Sequence, residues 1–396
     1  MINFEDAFTK VLENTKDFGE ETVTLKNSVG RVLAETIYAD RDFPPFNRST
    51  KDGIALNYKS ILEGKTELKI EGICSAGIPQ QELKEDYNCL EIMTGAVLPK
   101  NADTIVMYEH VSITDGVVTI NQIPKQGINI HAQGTDEKEG AVLLSPGILI
   151  DAAEVGVLAT VGKSEVNVKK TPKITVISTG NELVPVEEKP LPHQIRKSNT
   201  LSIEAALYKE YIIPEQLHLA DKKEEIKKSL SVALKNNDAL LLSGGVSKGK
   251  YDFIPEVMEE LGVEKVFHRV AQKPGKPFWF GIHKETETII FSFPGNPVST
   301  FANYHVYFLP WLKKSLGLPQ DNLQVQLQEE IEAKPPLTKF VQVTTFLEKG
   351  LFCGKLINGN GSGDLTTLSR ANGFVCLSPR EDIYKIGELV PFIKVK

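Results

Sequence analysis

Five acidic side chains, Asp52, Asp136, Glu182, Asp221 and Asp252, are the residues of this chain best suited to do chemistry. Four of them lie on or beside glycine turns: Lys51-Asp-Gly53, Gly134-Thr-Asp136, Thr179-Gly-Asn-Glu182 and Gly249-Lys-Tyr-Asp252. Carboxylates gathered this way suit Mg²⁺, which prefers oxygen ligands and bridges to anionic substrates. Asp221 has a rival role, because Asp221-Lys-Lys-Glu224 reads as a capping box for the helix that follows. Beside the acids stand groups that would hold an anion. In Ser243-Gly-Gly-Val-Ser247 two glycines admit a ligand to the backbone and two hydroxyls can donate to a phosphate. Arg269-Val-Ala-Gln-Lys-Pro-Gly-Lys-Pro277 carries three cations and no acid, and its prolines stiffen Lys273 and Lys276 into a phosphate clamp. Phe293-Pro-Gly-Asn-Pro-Val-Ser299 opens a helix with Pro297 in its first turn, which aims bare N–H groups at an anion. Each has a plainer reading, as a tight turn, solvated lysine or strand-to-helix punctuation. Thr94-Gly95 is a further strand-then-turn. The seven histidines show no metal spacing, and no Ser/His/Asp or Cys/His grouping supports nucleophilic catalysis.

The elements that must position these groups are legible as apolar runs. Ile174-Thr-Val-Ile-Ser-Thr-Gly180, Ala239-Leu-Leu-Leu-Ser-Gly-Gly-Val-Ser247 and Ile289-Ile-Phe-Ser-Phe-Pro-Gly-Asn-Pro297 each end in small residues before a helical pattern. Such runs are central strands of a parallel sheet, and ligands collect at the carboxyl ends of those strands. Helices are expected at 202–211, 221–235, 254–261 and 298–316, which makes the sheet doubly wound. The N-terminal residues 2–14 place Phe4, Ala7, Phe8, Val11 and Leu12 on one helical face.

Pro44 and Pro45 keep 41–53 extended, and short strands with glycine turns fill the region up to about residue 137. Residues 325–396 are strand-like and suggest a small β-barrel or sandwich. Four domains are expected: 1–42 with 138–168, a β-rich insert at 43–137, an α/β domain at 169–317 and a C-terminal β-barrel at 318–396.

A net charge of −7 argues against a general nucleic-acid binder. No run of about 18 apolar residues implies a membrane span. The start Met1-Ile-Asn-Phe-Glu-Asp lacks a leader pattern, and four scattered cysteines make no disulfide scaffold, so a cytoplasmic location is expected.

Six motifs in order resemble one family. They are Pro44-Pro-Phe46 with Asp52-Gly53; Met93-Thr-Gly-Ala96 with Pro99 and Ala102-Asp103; Ser178-Thr-Gly180 with Glu182-Leu183; Ser243-Gly-Gly-Val-Ser247; Lys273-Pro-Gly-Lys-Pro277; and Pro294-Gly-Asn-Pro-Val-Ser299. The chain is similar over its full length to the molybdopterin molybdenumtransferases, the bacterial counterparts of the C-terminal region of gephyrin. That resemblance implies a homodimer of four-domain subunits that inserts molybdate into adenylylated molybdopterin with Mg²⁺-assisted release of AMP. It implies catalytic roles for Asp52, Thr94, Asp136, Glu182, Asp221 and Asp252; on the physical reading of the carboxylates, Mg²⁺ is expected to be held partly by Glu182 and Asp252.

It also implies substrate contacts from the turn residues Thr179, Gly180, Ser243, Gly244, Gly245, Val246 and Ser247. Further contacts are implied for Lys273, Lys276, Pro294, Gly295, Asn296, Pro297 and Ser362. The site is then expected between the α/β domain of one subunit and the first two domains of the other, and the molybdopterin adenylyltransferase of the preceding step is an expected partner.

The chain departs from the family pattern at three places. His131-Ala-Gln-Gly-Thr-Asp136 has one acid fewer, Lys197-Ser-Asn-Thr200 replaces an Asp and an Arg, and Asn181 stands where Asp is common. Arg196 and Lys197 are the nearest substitutes for the lost positive charge. Two other functions remain open: a molybdopterin adenylyltransferase, which would consume ATP, and a scaffold or pterin carrier without turnover. Tungstate in place of molybdate is a further alternative.

Overall fold

The computed structural model describes residues 1–246 and 252–396, so Ser247 and the Gly249-Lys-Tyr part of the Asp252 turn lie outside the described residues. Met1–Ala34, Gly147–Asp151 and Glu165–Lys396 form one compact unit, and Glu35–Pro146 with Ala152–Ser164 form another.

The first unit contains the expected sheet. Its strands run in the order Glu215–Leu219, Ile174–Thr179, Ala239–Ser243, Thr288–Phe293, Trp279–His283, Val263–His268. The first four are parallel, whereas Trp279–His283 and Val263–His268 join antiparallel. Strands Ile174–Thr179, Ala239–Ser243 and Thr288–Phe293 are buried at every residue. The pleat explains this. Ile174, Val176, Leu241 and Phe291 enter one core with Ile203, Leu207, Val298 and Ala302 from helices Asn199–Lys209 and Pro297–Asn303. Ile177, Leu240, Leu242 and Ile290 enter the opposite core with Ile226, Leu230, Val257 and Met258 from helices Lys223–Asn236 and Ile254–Glu260. Helices cover both faces, so the strand residues have no polar side to present.

Two helices differ from expectation. The run after Pro297 is broken into helix Pro297–Asn303, a π-turn Tyr304–Phe308 and helix Leu309–Ser315. Helix Lys223–Asn236 is capped by Lys222 without a side-chain hydrogen bond, so the capping box expected at Asp221 does not form. Periodicity and local sequence allowed that box, but the carboxylate is engaged elsewhere. The N-terminal helix Phe4–Glu13 starts at Asn3, whose Oδ1 accepts from Asp6 N at 2.7 Å. Its Ala7 and Val11 enter the first core, and the Phe4 ring lies 6.0 Å from that of Tyr307.

After residue 320 the chain closes a barrel. Thr338–Glu348 pairs with Leu351–Leu356, Leu351–Leu356 with Leu323–Leu327, Leu323–Leu327 with Leu389–Lys394, Leu389–Lys394 with Gly373–Leu377, and Gly373–Leu377 returns to Thr338–Glu348. The short strand Gln272–Lys273 adds to Thr338–Lys339 in parallel, an attachment not foreseen from the sequence.

The second unit is built on a six-stranded sheet, Thr104–Met107, Gly53–Leu56, Asn88–Ile92, Glu67–Cys74, Val117–Ile120, Val111–Thr114. All four cysteines are free thiols, and burial pushes Cys89 and Cys376 up to about 12. Among the described residues no helix is long and apolar enough to cross a membrane.

Candidate active site

Strand register brings the three glycine turns level. Ser178 stands opposite Ser243, and Ser243 opposite Phe293, so each chain leaves the sheet in the same row. The turns then pack backbone to backbone. Gly244 N donates to Phe293 O at 3.1 Å. At φ +100°, a Cβ on Gly244 would strike the Thr179 hydroxyl and carbonyl, so only glycine lets these two turns touch.

Asn199, which sequence reasoning did not assign, ties them together. Its Nδ2 donates to Ser243 Oγ at 2.9 Å and to Gly295 O at 2.6 Å, joining two turns to the start of helix Asn199–Lys209. The Lys197-Ser-Asn-Thr200 motif was the only sequence signal for it.

Around these turns lies a cavity of about 380 Å³. Thr179, Gly180, Ser243, Gly244, Gly245 and Val246 line it, as do Pro294, Gly295, Asn296 and Pro297. Glu182, Asp221 and Asp252 bring three carboxylates to it, while Arg196 and Lys197 bring two cations. Glu182 leans over the first turn so closely that a Cβ on Gly180 would overlap its carboxylate. Asp221 is held by a reciprocal pair: its Oδ2 accepts from Asn181 N at 3.2 Å, and Asn181 Oδ1 accepts from Asp221 N at 3.1 Å. This engagement takes the place of the capping box. Arg196 Nε donates to Val186 O and Glu188 O at 2.9 and 3.0 Å, which fixes the guanidinium to its own loop.

Ser178, another unpredicted lining residue, shares a 2.9 Å hydrogen bond with His218 Nδ1. Desolvation, and next the nearby Lys197 charge, hold that imidazole below its usual pKa, so it is neutral at pH 7. Among the described residues no three His, Cys, Asp or Glu side chains form a ready metal cage.

Lys273 and Lys276 do not line this cavity. They line a second one of about 510 Å³, together with Ser362, Ser299 and Lys339. Pro277, Pro294 and Asn296 line both, so the two cavities adjoin. Asn296 Nδ2 donates to Ser362 Oγ at 2.8 Å, and Val298 N donates to Ser362 O at 3.0 Å. The glycine-serine turn of the barrel is thereby fastened to the start of helix Pro297–Asn303. Lys339 was invisible in the sequence, because a single lysine in a strand carries no signal until the barrel closes.

Asp52, Thr94 and Asp136 belong to the other compact unit. Asp52 Oδ1 accepts from Thr94 N at 2.6 Å and from Thr94 Oγ at 2.8 Å. The backbone N–H bond foremost, and then the hydroxyl, holds the Asp52 carboxyl below the usual range. Asp136 Oδ1 bonds His131 Nε2 at 2.9 Å, and His131 Nδ1 faces Arg48 Nη2 at 3.3 Å. Because the guanidinium can only donate, His131 accepts at Nδ1 and carries its proton toward Asp136. Arg48 is the member of this chain of groups that sequence reasoning missed.

Comparison with known proteins agrees with this architecture. Residues 2–162 match the MoeA N-terminal region (domain I and II) family, 175–314 the family described as a probable molybdopterin binding domain, and 324–395 the MoeA C-terminal region (domain IV). The molybdopterin molybdenumtransferase of Synechocystis sp. is 37% identical over 397 residues, covering 99% of each chain. That of Bacillus subtilis is 28% identical over 410 residues, covering 100% of this chain and 94% of the other. The crystal structure of the molybdopterin biosynthesis moeA protein from Pyrococcus horikoshii OT3 superposes with a TM-score of 0.83 at 27% identity, covering both chains fully. With its molybdopterin-binding-type domain, its closed five-stranded barrel and relatives matched end to end, this chain belongs to the MoeA family of molybdopterin molybdenumtransferases.

Proposed function

We propose that this protein is a molybdopterin molybdenumtransferase that inserts molybdate into adenylylated molybdopterin and releases AMP. One observation carries the reading. A cavity lined by glycine turns and three carboxylates adjoins a cavity lined by three lysines and two serines, across Pro277, Pro294 and Asn296. An adenylylated pterin phosphate and molybdate are both anions, so an enzyme that joins them must hold each separately and offset their repulsion. The N–H groups of Gly180, Asn181 and Gly244 already donate to Leu219 O, Asp221 Oδ2 and Phe293 O, so Gly245 and Gly295 N–H are the donors the turns would offer a phosphate. Lys273, Lys276 and Lys339, with the Ser299 and Ser362 hydroxyls, give the second cavity donors for a tetrahedral dianion.

The donor set of the first cavity fits Mg²⁺, which is commonly held by one or two carboxylates and completed by substrate phosphates. Glu182 and Asp252 would hold it, and when bound it supplies charge neutralisation at the phosphoanhydride. The reciprocal Asn181–Asp221 pair keeps a third carboxylate at the same rim. Purified protein given adenylylated molybdopterin, Mg²⁺ and molybdate is expected to release AMP, with tungstate as the parallel arm. No AMP from either oxyanion favours the scaffold or carrier reading, and ATP consumption favours the adenylyltransferase.

The proposal extends to a homodimer in which Asp52, Thr94 and Asp136 of one protomer serve the cavity of the other. Helix Ala152–Thr160 supports a self-association face: it has a single charge, Glu154, yet only Leu158 is buried, and Ala152, Ala153, Gly156 and Ala159 are exposed. Sedimentation equilibrium is expected to show a dimer that Gly156→Glu dissociates; a monomeric parent protein would overturn this part. A cytoplasmic location, and the adenylyltransferase of the preceding step as partner enzyme, belong to the same reading.

A further inference from the structure

Behind the lysine loop lies a buried polar network that the reading above does not use. Gln272, Asn303 and Tyr307 are all shielded from solvent. Gln272 Nε2 donates to Asn303 Oδ1 at 2.8 Å and to Pro274 O at 3.0 Å. Gln272 Oε1 accepts from the Tyr307 hydroxyl. Asn303 Nδ2 donates to Gly275 O at 3.3 Å. The two carbonyls between Lys273 and Lys276 are thus both held from behind. The fit leaves no slack: Gly275 has φ +89°, and a Cβ there would overlap both Asn303 Oδ1 and Gln272 Nε2.

We propose that Asn303 and Tyr307, acting through Gln272, are positioning residues that hold residues 273–276 in the shape that grips the oxyanion; this rests on the oxyanion reading of the second cavity. Three facts favour positioning over simple support. Asn303 and Tyr307 do not line the cavity, so they reach it only through the loop. The loop is already anchored by backbone bonds, Phe278 N to Gly275 O at 3.2 Å and Val270 N to Lys276 O at 3.0 Å, besides the pairing of Gln272–Lys273 with Thr338–Lys339. The surroundings are aromatic: Phe278 lies 4.6 Å from the Tyr307 ring and Phe4 6.0 Å. Apolar side chains would fill this space without desolvating an amide or a phenol, so the polar groups are better explained by the geometry they impose. Asn303 and Tyr307 sit four residues apart across the junction of helix Pro297–Asn303 with the π-turn. The helix that begins at the first cavity therefore also sets the lysines of the second.

The test measures AMP release against molybdate concentration for the full chain, with melting temperature alongside. Tyr307→Phe leaves Gln272 Oε1 buried without a donor and is expected to raise KM for molybdate about tenfold, with kcat changed by less than about twofold. Asn303→Ser, which removes the tie to Gly275, is expected to act in the same direction and stands in should Tyr307→Phe fail to fold. Unchanged KM in folded variants, or a fall in kcat alone that tracks melting temperature, overturns the proposal. Calorimetric titration with molybdate alone separates the two levels of inference. If the parent binds molybdate but releases no AMP, the function reading falls, and positioning is judged on the Kd of the same variants. If the parent binds no molybdate, both fall.

Discussion

Combining Glu182→Gln with Asp252→Asn is expected to lower kcat for AMP release about a hundredfold or more at saturating Mg²⁺, the scale set by losing charge stabilisation at a reacting phosphoryl group. The physical case rests on where the carboxylates stand. Both line the cavity built by the three level turns, and Glu182 lies directly over the Gly180 backbone. Amide replacement keeps the shape and removes the charge, so a cation held by Glu182 and Asp252 would lose its protein anchors. Glu182 is exposed and Asp252 half-buried, so neither change opens the core. At the exposed Glu182 the expected stability loss is within about 0.5 kcal/mol. Activity and melting temperature must therefore separate. Unchanged AMP release in the double variant would show that these two residues are not the metal anchors.

The second large effect is expected at the lysines. Lys273→Gln with Lys276→Gln should raise KM for molybdate about a hundredfold, as expected for two charge-assisted contacts at about 1.5 kcal/mol each. The same change should flatten the salt dependence of KM, because the attraction being screened has been removed. Both lysines are exposed, and the loop is held by its own backbone and by Gln272 and Asn303, so the fold should tolerate the change. Binding of AMP alone, which the first cavity is proposed to supply, should change little. A parallel loss of AMP affinity would mean that the two cavities are not used separately. Steady-state kinetics at low and high salt, with AMP titration as the control, checks both parts.

These two experiments probe sites of different legibility. The turns of the first cavity were readable because every step of their construction is local. A fully apolar run marks a buried parallel strand, small residues mark its end, and such ends gather ligands. Thr179, Ser243 and Pro294 accordingly meet at one cavity. Asp221 shows where local reading stops. Asp221-Lys-Lys-Glu224 satisfies a capping pattern, yet Asn181, 40 residues earlier, takes the carboxylate through a reciprocal pair. The lysine loop shows the same limit: its charge and stiffness were plain, but not its placement beside a barrel strand 66 residues further on, where Gln272 pairs with Thr338.

Chain order alone therefore determined the class of fold and the row of turns, since these follow from periodicity, strand burial and residue type. Tertiary structure alone decided that lysines and carboxylates occupy two adjoining cavities, that Asn199 and the Gln272–Asn303–Tyr307 network brace the turns and the lysine loop, and that Lys339 lines the second cavity. The physical reason is range. Backbone propensity and burial act over a few residues, whereas a hydrogen bond or a shared cavity wall depends on distances set only when strands far apart in the chain pair in register.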